Sequence, residues 1–152
     1  MKDQETFFKL LKYSNKLKKN NKYLCNENPE VFDLFLSLLV IIECNLHFLE
    51  KQEYIELADD FLSNQITADD FASTFQAIYE GINRKFDQMR RDESLELANF
   101  LEPSRPELGG LLARIYGSCD SFSTDPEVFM VTSDEKELEQ CAKMLLLKLQ
   151  EE

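Results

Sequence analysis

The chain has 152 residues, 43% of them hydrophobic, with 12 Phe but only 4 Gly and 4 Pro. That is enough apolar side chain to bury a core and too few turn residues for a strand-rich fold, so long helices joined by short loops are expected. The formal net charge of −12 argues against direct nucleic-acid binding, since so acidic a surface repels phosphate, and it points instead to basic protein partners.

The charge is unevenly spread. Residues 1–22 hold seven Lys against Asp3 and Glu5, a local net of +5, which leaves −17 on the remaining 130 residues. A solvated helix face explains such a start most simply; a docking arm for an anionic surface is the sharper reading. Lys interrupts every apolar stretch there, unlike a secretory signal.

Gln4 to about Lys19 carries Phe7, Phe8, Leu10, Leu11, Tyr13 and Leu17 at helical spacing. Asn20, Asn21 and the segment Asn26–Pro29 break it, and Pro29 suits the first turn of a second helix capped by Asn28. That helix is expected to run to about Lys51 and to continue or kink into Tyr54–Leu62. Its apolar run Leu34–Ile42, bracketed by Asp33 and Glu43, is too short to span a bilayer and reads as a buried helix, so no transmembrane segment is expected.

Thr67-Ala-Asp-Asp70 is a capping sequence, with Ile66 and Phe71 at the positions of a hydrophobic staple. The helix it opens sets Phe71, Phe75, Ile78, Ile82 and Phe86 in one stripe. Between Asp87 and Glu102, Leu95, Leu97, Phe100 and Leu101 are expected to anchor a short helix or ordered loop. A further helix begins near Pro106 with Leu108, Leu111, Leu112, Ile115 and Tyr116; Gly109 and Gly110 cost it about 1 kcal/mol each, which suggests close helix–helix approach. Phe122–Pro126 reads as a turn. Thr132-x-x-Glu135 reads as a capping box for a last helix with a Leu138, Cys141, Ala142, Leu145 and Leu149 stripe. Five or six helices and no strand predict an all-α antiparallel bundle.

Catalytic constellations are sparse. The sole histidine, His47, lies in an apolar helix and is expected to be a satisfied core or boundary residue; two histidines would be needed for the Glu-x-x-His pairs of a di-iron bundle. There is no phosphate-binding glycine loop, dinucleotide fingerprint or calcium loop. Asp59-Asp60 and Asp69-Asp70 do not converge as an acid/base pair. Cys25, Cys44, Cys119 and Cys141 show neither CxxC nor zinc spacing and read as reduced core thiols of a cytosol-like compartment. The chain is therefore expected to be a non-enzyme, with no cofactor and no metal.

One further feature is acidic density beside an aromatic in Ser118-Cys-Asp120-Ser-Phe122-Ser-Thr-Asp125-Pro-Glu127. By composition alone this is a solvated turn. From Tyr54 onward, however, the chain resembles the colicin D immunity family. The resemblance is carried by Leu57-Ala-Asp-Asp-Phe-Leu-Ser-Asn-Gln-Ile-Thr-Ala-Asp-Asp-Phe71, and by Gly110-Leu-Leu-Ala-Arg-Ile-Tyr-Gly-Ser-Cys-Asp120 with Phe122 and Asp125 following. It spans about two-thirds of the chain.

Members of that family are small helical bundles that neutralise a tRNA-cleaving bacteriocin toxin by placing carboxylates in its basic cleft. The resemblance implies an immunity-like four-helix core over residues 53–152, preceded by an N-terminal helical extension over 1–52. It implies Asp120 and Asp125 as acidic contacts, Phe122 as the packing residue between them, and Glu127 beside them. Thr67 and Phe71 carry over as fold-defining positions. Ser123 stands where an acid is expected. The alternative is an immunity-like domain recruited as a subunit of a larger assembly, with the extension as a docking element. The compartment expected is the cytoplasm, or a plastid stroma if the gene is organellar.

Overall fold

The protein is all-α. The computed structural model describes residues 2–122 and 134–150. Among these it has seven α-helices, α1 (Lys2–Lys19), α2 (Leu24–Glu27), α3 (Pro29–Leu49), α4 (Lys51–Leu62), α5 (Ala68–Arg91), α6 (Pro106–Asp120) and α7 (Glu135–Gln150), with one 3-10 segment at Leu95–Phe100 and no strand. The chain divides into two units, each built from two separate stretches: residues 1–46 with 83–106, and 47–82 with 107–152.

The first unit holds α1, α2, most of α3, the end of α5 and the 3-10 segment. Phe7 and Leu11 of α1, Leu24 of α2, and Phe35, Leu39 and Ile42 of α3 are buried, and the Phe7 and Phe35 rings lie 5.9 Å apart. Asn28 caps α3 as expected, its side-chain oxygen accepting from Val31 N at 3.3 Å. The α1 break falls at Asn21, whose φ of 58° suits the left-handed conformation that Asn tolerates. Asn15 Nδ2 donates to the Arg90 carbonyl at 3.0 Å and to Glu93 at 3.2 Å, tying α1 to the end of α5.

The tightest polar junction in this unit is Asn45, only 7% exposed. Its amide donates to the Phe100 and Pro103 carbonyls, at 2.7 and 2.9 Å, and its oxygen accepts from Arg105 Nε at 3.0 Å. One side chain thus meets three groups of a stretch that is poor in regular backbone bonding.

The second unit contains α4, the first part of α5, α6 and α7. Thr67 and Asp70 form the reciprocal box at the start of α5: Asp70 N donates to Thr67 Oγ1 at 3.1 Å and Thr67 N to Asp70 Oδ2 at 3.3 Å. Successive helices run antiparallel. Phe61 lies against Phe71 and Tyr54 against Phe75, which sets α4 against α5. Gln76 meets Asp120 and Glu80 meets Tyr116, which sets α5 against α6. Glu107 meets Lys148 and Ser118 meets Glu137, which sets α6 against α7. The α4 helix also packs on α7. Phe71, Phe75, Leu112, Ile115, Leu138 and Leu145 fill the core between them.

Several local expectations need correction. The second helix ends at Leu49, close to the expected Lys51, and after a break at Glu50 α4 follows as expected of a kink, but the little helix α2 was not anticipated. The Leu34–Ile42 run is not wholly buried: Phe35, Leu39 and Ile42 point inward, whereas Leu34, Leu36 and Val40 are exposed. Nor is shortness a property of α3, whose 21 residues are long and apolar enough to cross a membrane by length and composition alone; 39% of that apolar window is buried within the fold. Leu95, at 79% exposure, does not anchor the 3-10 segment; Leu97 and Leu101 do. Asp134 caps α7, accepting from Glu137 N at 2.9 Å; Thr132, expected to open the capping box, lies outside the described residues. A Cβ at Gly110 would meet nothing within 4 Å, so close helix approach does not explain that glycine. Cys25 is exposed, unlike the core thiols Cys44, Cys119 and Cys141.

Candidate functional site

In the second unit, α5 and α6 present a polar seam. Two residues one turn apart on each helix face each other. Gln76 Nε2 donates to Asp120 Oδ1 at 3.5 Å, and the Tyr116 hydroxyl donates to Glu80 Oε1. The i, i+4 spacing on both helices makes the match possible, because residues four apart share a face. Asp120 and Glu80 are exposed, while Tyr116 is partly covered. The bond to the Glu80 carboxylate raises the Tyr116 pKa, since ionising the phenol would destroy it and set two negative charges together.

An aromatic column stands behind this seam. The Tyr116 ring lies 4.8 Å from Tyr79, Tyr79 lies 4.7 Å from His47, and His47 Nδ1 lies 2.8 Å from the Tyr54 hydroxyl. Phe75 extends the column at 5.3 Å from Tyr54. His47 is 2% exposed and hydrogen-bonded, the satisfied core histidine that its apolar helix predicts. Burial raises the Tyr54 pKa far above the ordinary phenol value. These rings fix the α5 backbone, and so hold Glu80 and Gln76 in place.

The far side of α6 faces α7. Ser118 Oγ donates to Glu137 Oε1 at 3.1 Å. Burial pushes the Cys119 thiol up to about 12 and raises that of Cys141 as well. A thiol held protonated in this way is a poor nucleophile and a poor metal ligand. Among the described residues no group of three or more His, Cys, Asp or Glu is arranged to hold a metal ion.

Of the four contact residues expected from the sequence, two are placed. Asp120 ends α6 on the surface, on the seam with Gln76. Phe122 is half-buried just beyond, its backbone N–H bonded to the Cys119 carbonyl at 3.3 Å. Asp125 and Glu127 lie outside the described residues. Glu80, Gln76 and Tyr116 are additions to the site. The matching i, i+4 pairs 76/80 and 116/120 were visible in the sequence, but nothing there says which face of α5 meets which face of α6.

The two units differ sharply in charge. The first carries 12 Lys and Arg against 11 Asp and Glu, a net of +1; the second carries 5 against 18, a net of −13. The seam therefore belongs to the unit that carries all of the net negative charge. No protein-family model, curated protein or solved structure matches the chain.

Proposed function

We propose that the protein is a non-catalytic acidic binder that occupies the basic cleft of a partner, as colicin D immunity proteins do with a tRNase toxin. The observation that carries this reading is the exposed α5–α6 seam, where Glu80 and Asp120 sit on a unit of net charge −13. Exposed carboxylates beside neighbouring donors offer acceptors to Arg and Lys where RNA phosphates would otherwise bind. The surrounding field steers a basic partner and raises its on-rate by roughly 10- to 1000-fold. A few desolvated charge pairs then set the residence time. On this reading Asp120, Asp125 and Glu127 contribute contacts together with Glu80, and Phe122 packs among them. The setting is the cytoplasm or, for an organellar gene, a plastid stroma.

The test is a binding and inhibition measurement. Capture from native lysate should recover a basic ribonuclease, and the protein should stop its cleavage of tRNA. The pair Asp120→Asn with Asp125→Asn should weaken binding at least about tenfold and flatten its salt dependence, with helical content unchanged. Unchanged affinity in that double variant would overturn the reading.

A second reading, an immunity-like domain serving as a subunit of a larger assembly, is supported by a different observation. Tyr13, Tyr23, Leu34, Leu36, Val40 and Leu95 of the first unit are exposed, large apolar side chains of the kind that subunit contacts cover. Recovery of a stable multi-subunit complex in the same capture, with no ribonuclease in it, would favour this reading.

A further inference from the structure

Helix α1 carries a cationic stripe that the acidic seam does not use. At about 100° per residue, Lys9, Lys12, Tyr13, Lys16 and Lys19 fall within one arc of the helix surface. All five are exposed, and Tyr13 is 47% exposed. Phe7, Leu11 and Ser14 are buried on the opposite side. Among the described residues none of these four lysines is in a salt bridge. Glu5 precedes the stripe, and from Lys9 to Lys22 no acid interrupts it. Lys22 and the 57% exposed Tyr23 continue the pattern beyond the helix.

The unit around α1 is suited to the same kind of surface. Its net charge is +1, so it does not share the strong repulsion of anions that the other unit exerts. Among the described residues it also holds six of the eight large exposed hydrophobic side chains, Leu34, Leu36 and Val40 of α3 among them. Lysines with long apolar stems, interleaved with tyrosines, suit the boundary between lipid headgroups and water, where the ammonium meets phosphate and the ring sits at the headgroup level. A row of exposed side chains along one helix face fits an extended, flat partner better than a small ligand.

We propose that the α1 stripe docks the first unit peripherally on an anionic phospholipid surface. Lys9, Lys12, Lys16 and Lys19 supply the electrostatic attraction, and Tyr13 inserts between headgroups. The docking spans no bilayer, and it is independent of the toxin-neutralising reading, because it uses no residue of the α5–α6 seam.

Vesicle co-sedimentation of the full chain tests it, using phosphatidylcholine vesicles with or without about a third phosphatidylserine. The chain should sediment with the anionic vesicles, not with pure phosphatidylcholine, and should be released by raised salt. The triple variant Lys9→Glu, Lys12→Glu, Lys16→Glu should lower the bound fraction at least about tenfold while keeping its helical circular dichroism. Tyr13→Ser should weaken binding several-fold at unchanged charge. Failure to sediment with anionic vesicles overturns the proposal, as does a triple variant that binds as well as the parent. Equal binding to soluble polyglutamate or RNA also overturns it, by assigning the stripe to a protein or nucleic-acid partner.

Discussion

Asn45 illustrates how much one amide can organise. Its two donors and its oxygen are all engaged, with Phe100, Pro103 and Arg105, which also fixes which way round the amide sits. Asn45→Ala should destabilise the protein by about 2–4 kcal/mol, because two carbonyls lose their donor in a largely dry place. Asn45→Asp should be no better at neutral pH, since a carboxylate would face the same carbonyls. Urea or thermal unfolding of the two variants checks this. Glu43 makes the opposite point. Burial, then the neighbouring Asp87, raise its pKa, and Arg90 offsets only part of this. A carboxyl with a raised folded pKa favours folding at low pH, and that contribution is lost as pH climbs through the raised value. Glu43→Gln should therefore gain melting temperature relative to the parent as pH goes from about 4 to about 7. A gain that shrinks over this range would contradict the assignment.

At the scale of elements, much was legible because helix signals are local. The Thr67–Asp70 box, the Phe71–Phe86 stripe, the Asn28 cap and the Leu138–Leu149 stripe all rest on interactions within a few residues. The errors arose where tertiary packing decides. Leu95 and Leu97 look alike in sequence, yet only Leu97 finds a core. The cap of α7 is Asp134, a choice among nearby polar residues that local spacing does not settle. The exposed half of α3 was hidden by composition, since a run of apolar residues does not say which of them have partners. Of the site, Asp120 was legible and its seam partners were not, because pairing of Glu80 with Tyr116 depends on register between helices. The expected spacing role of Gly110 fails because it lies in α6 with open space where a side chain would go. Gly110→Ala should stabilise the protein by about 0.5–1 kcal/mol, a rise of about 2–4 °C in melting temperature. A fall in melting temperature would restore a packing role for that glycine.

For the whole molecule, charge is the organising property. An acidity of −12 viewed as an average suggests a uniformly repulsive surface. Resolved by unit, it becomes a nearly neutral body with a lysine stripe and a body of −13 bearing the tyrosine–carboxylate seam. On the two readings proposed above, such segregation would serve partners of opposite sign, each attraction falling off over about 8 Å at physiological ionic strength. Neither unit is a continuous stretch of chain, however. During synthesis α1 and α3 leave the ribosome well before residues 83–106, so the first unit cannot close until Pro106 has emerged, and the second waits for α7. The nascent chain thus carries its lysine stripe and apolar α3 into the cell unclosed, a period in which a chaperone has the most to hold.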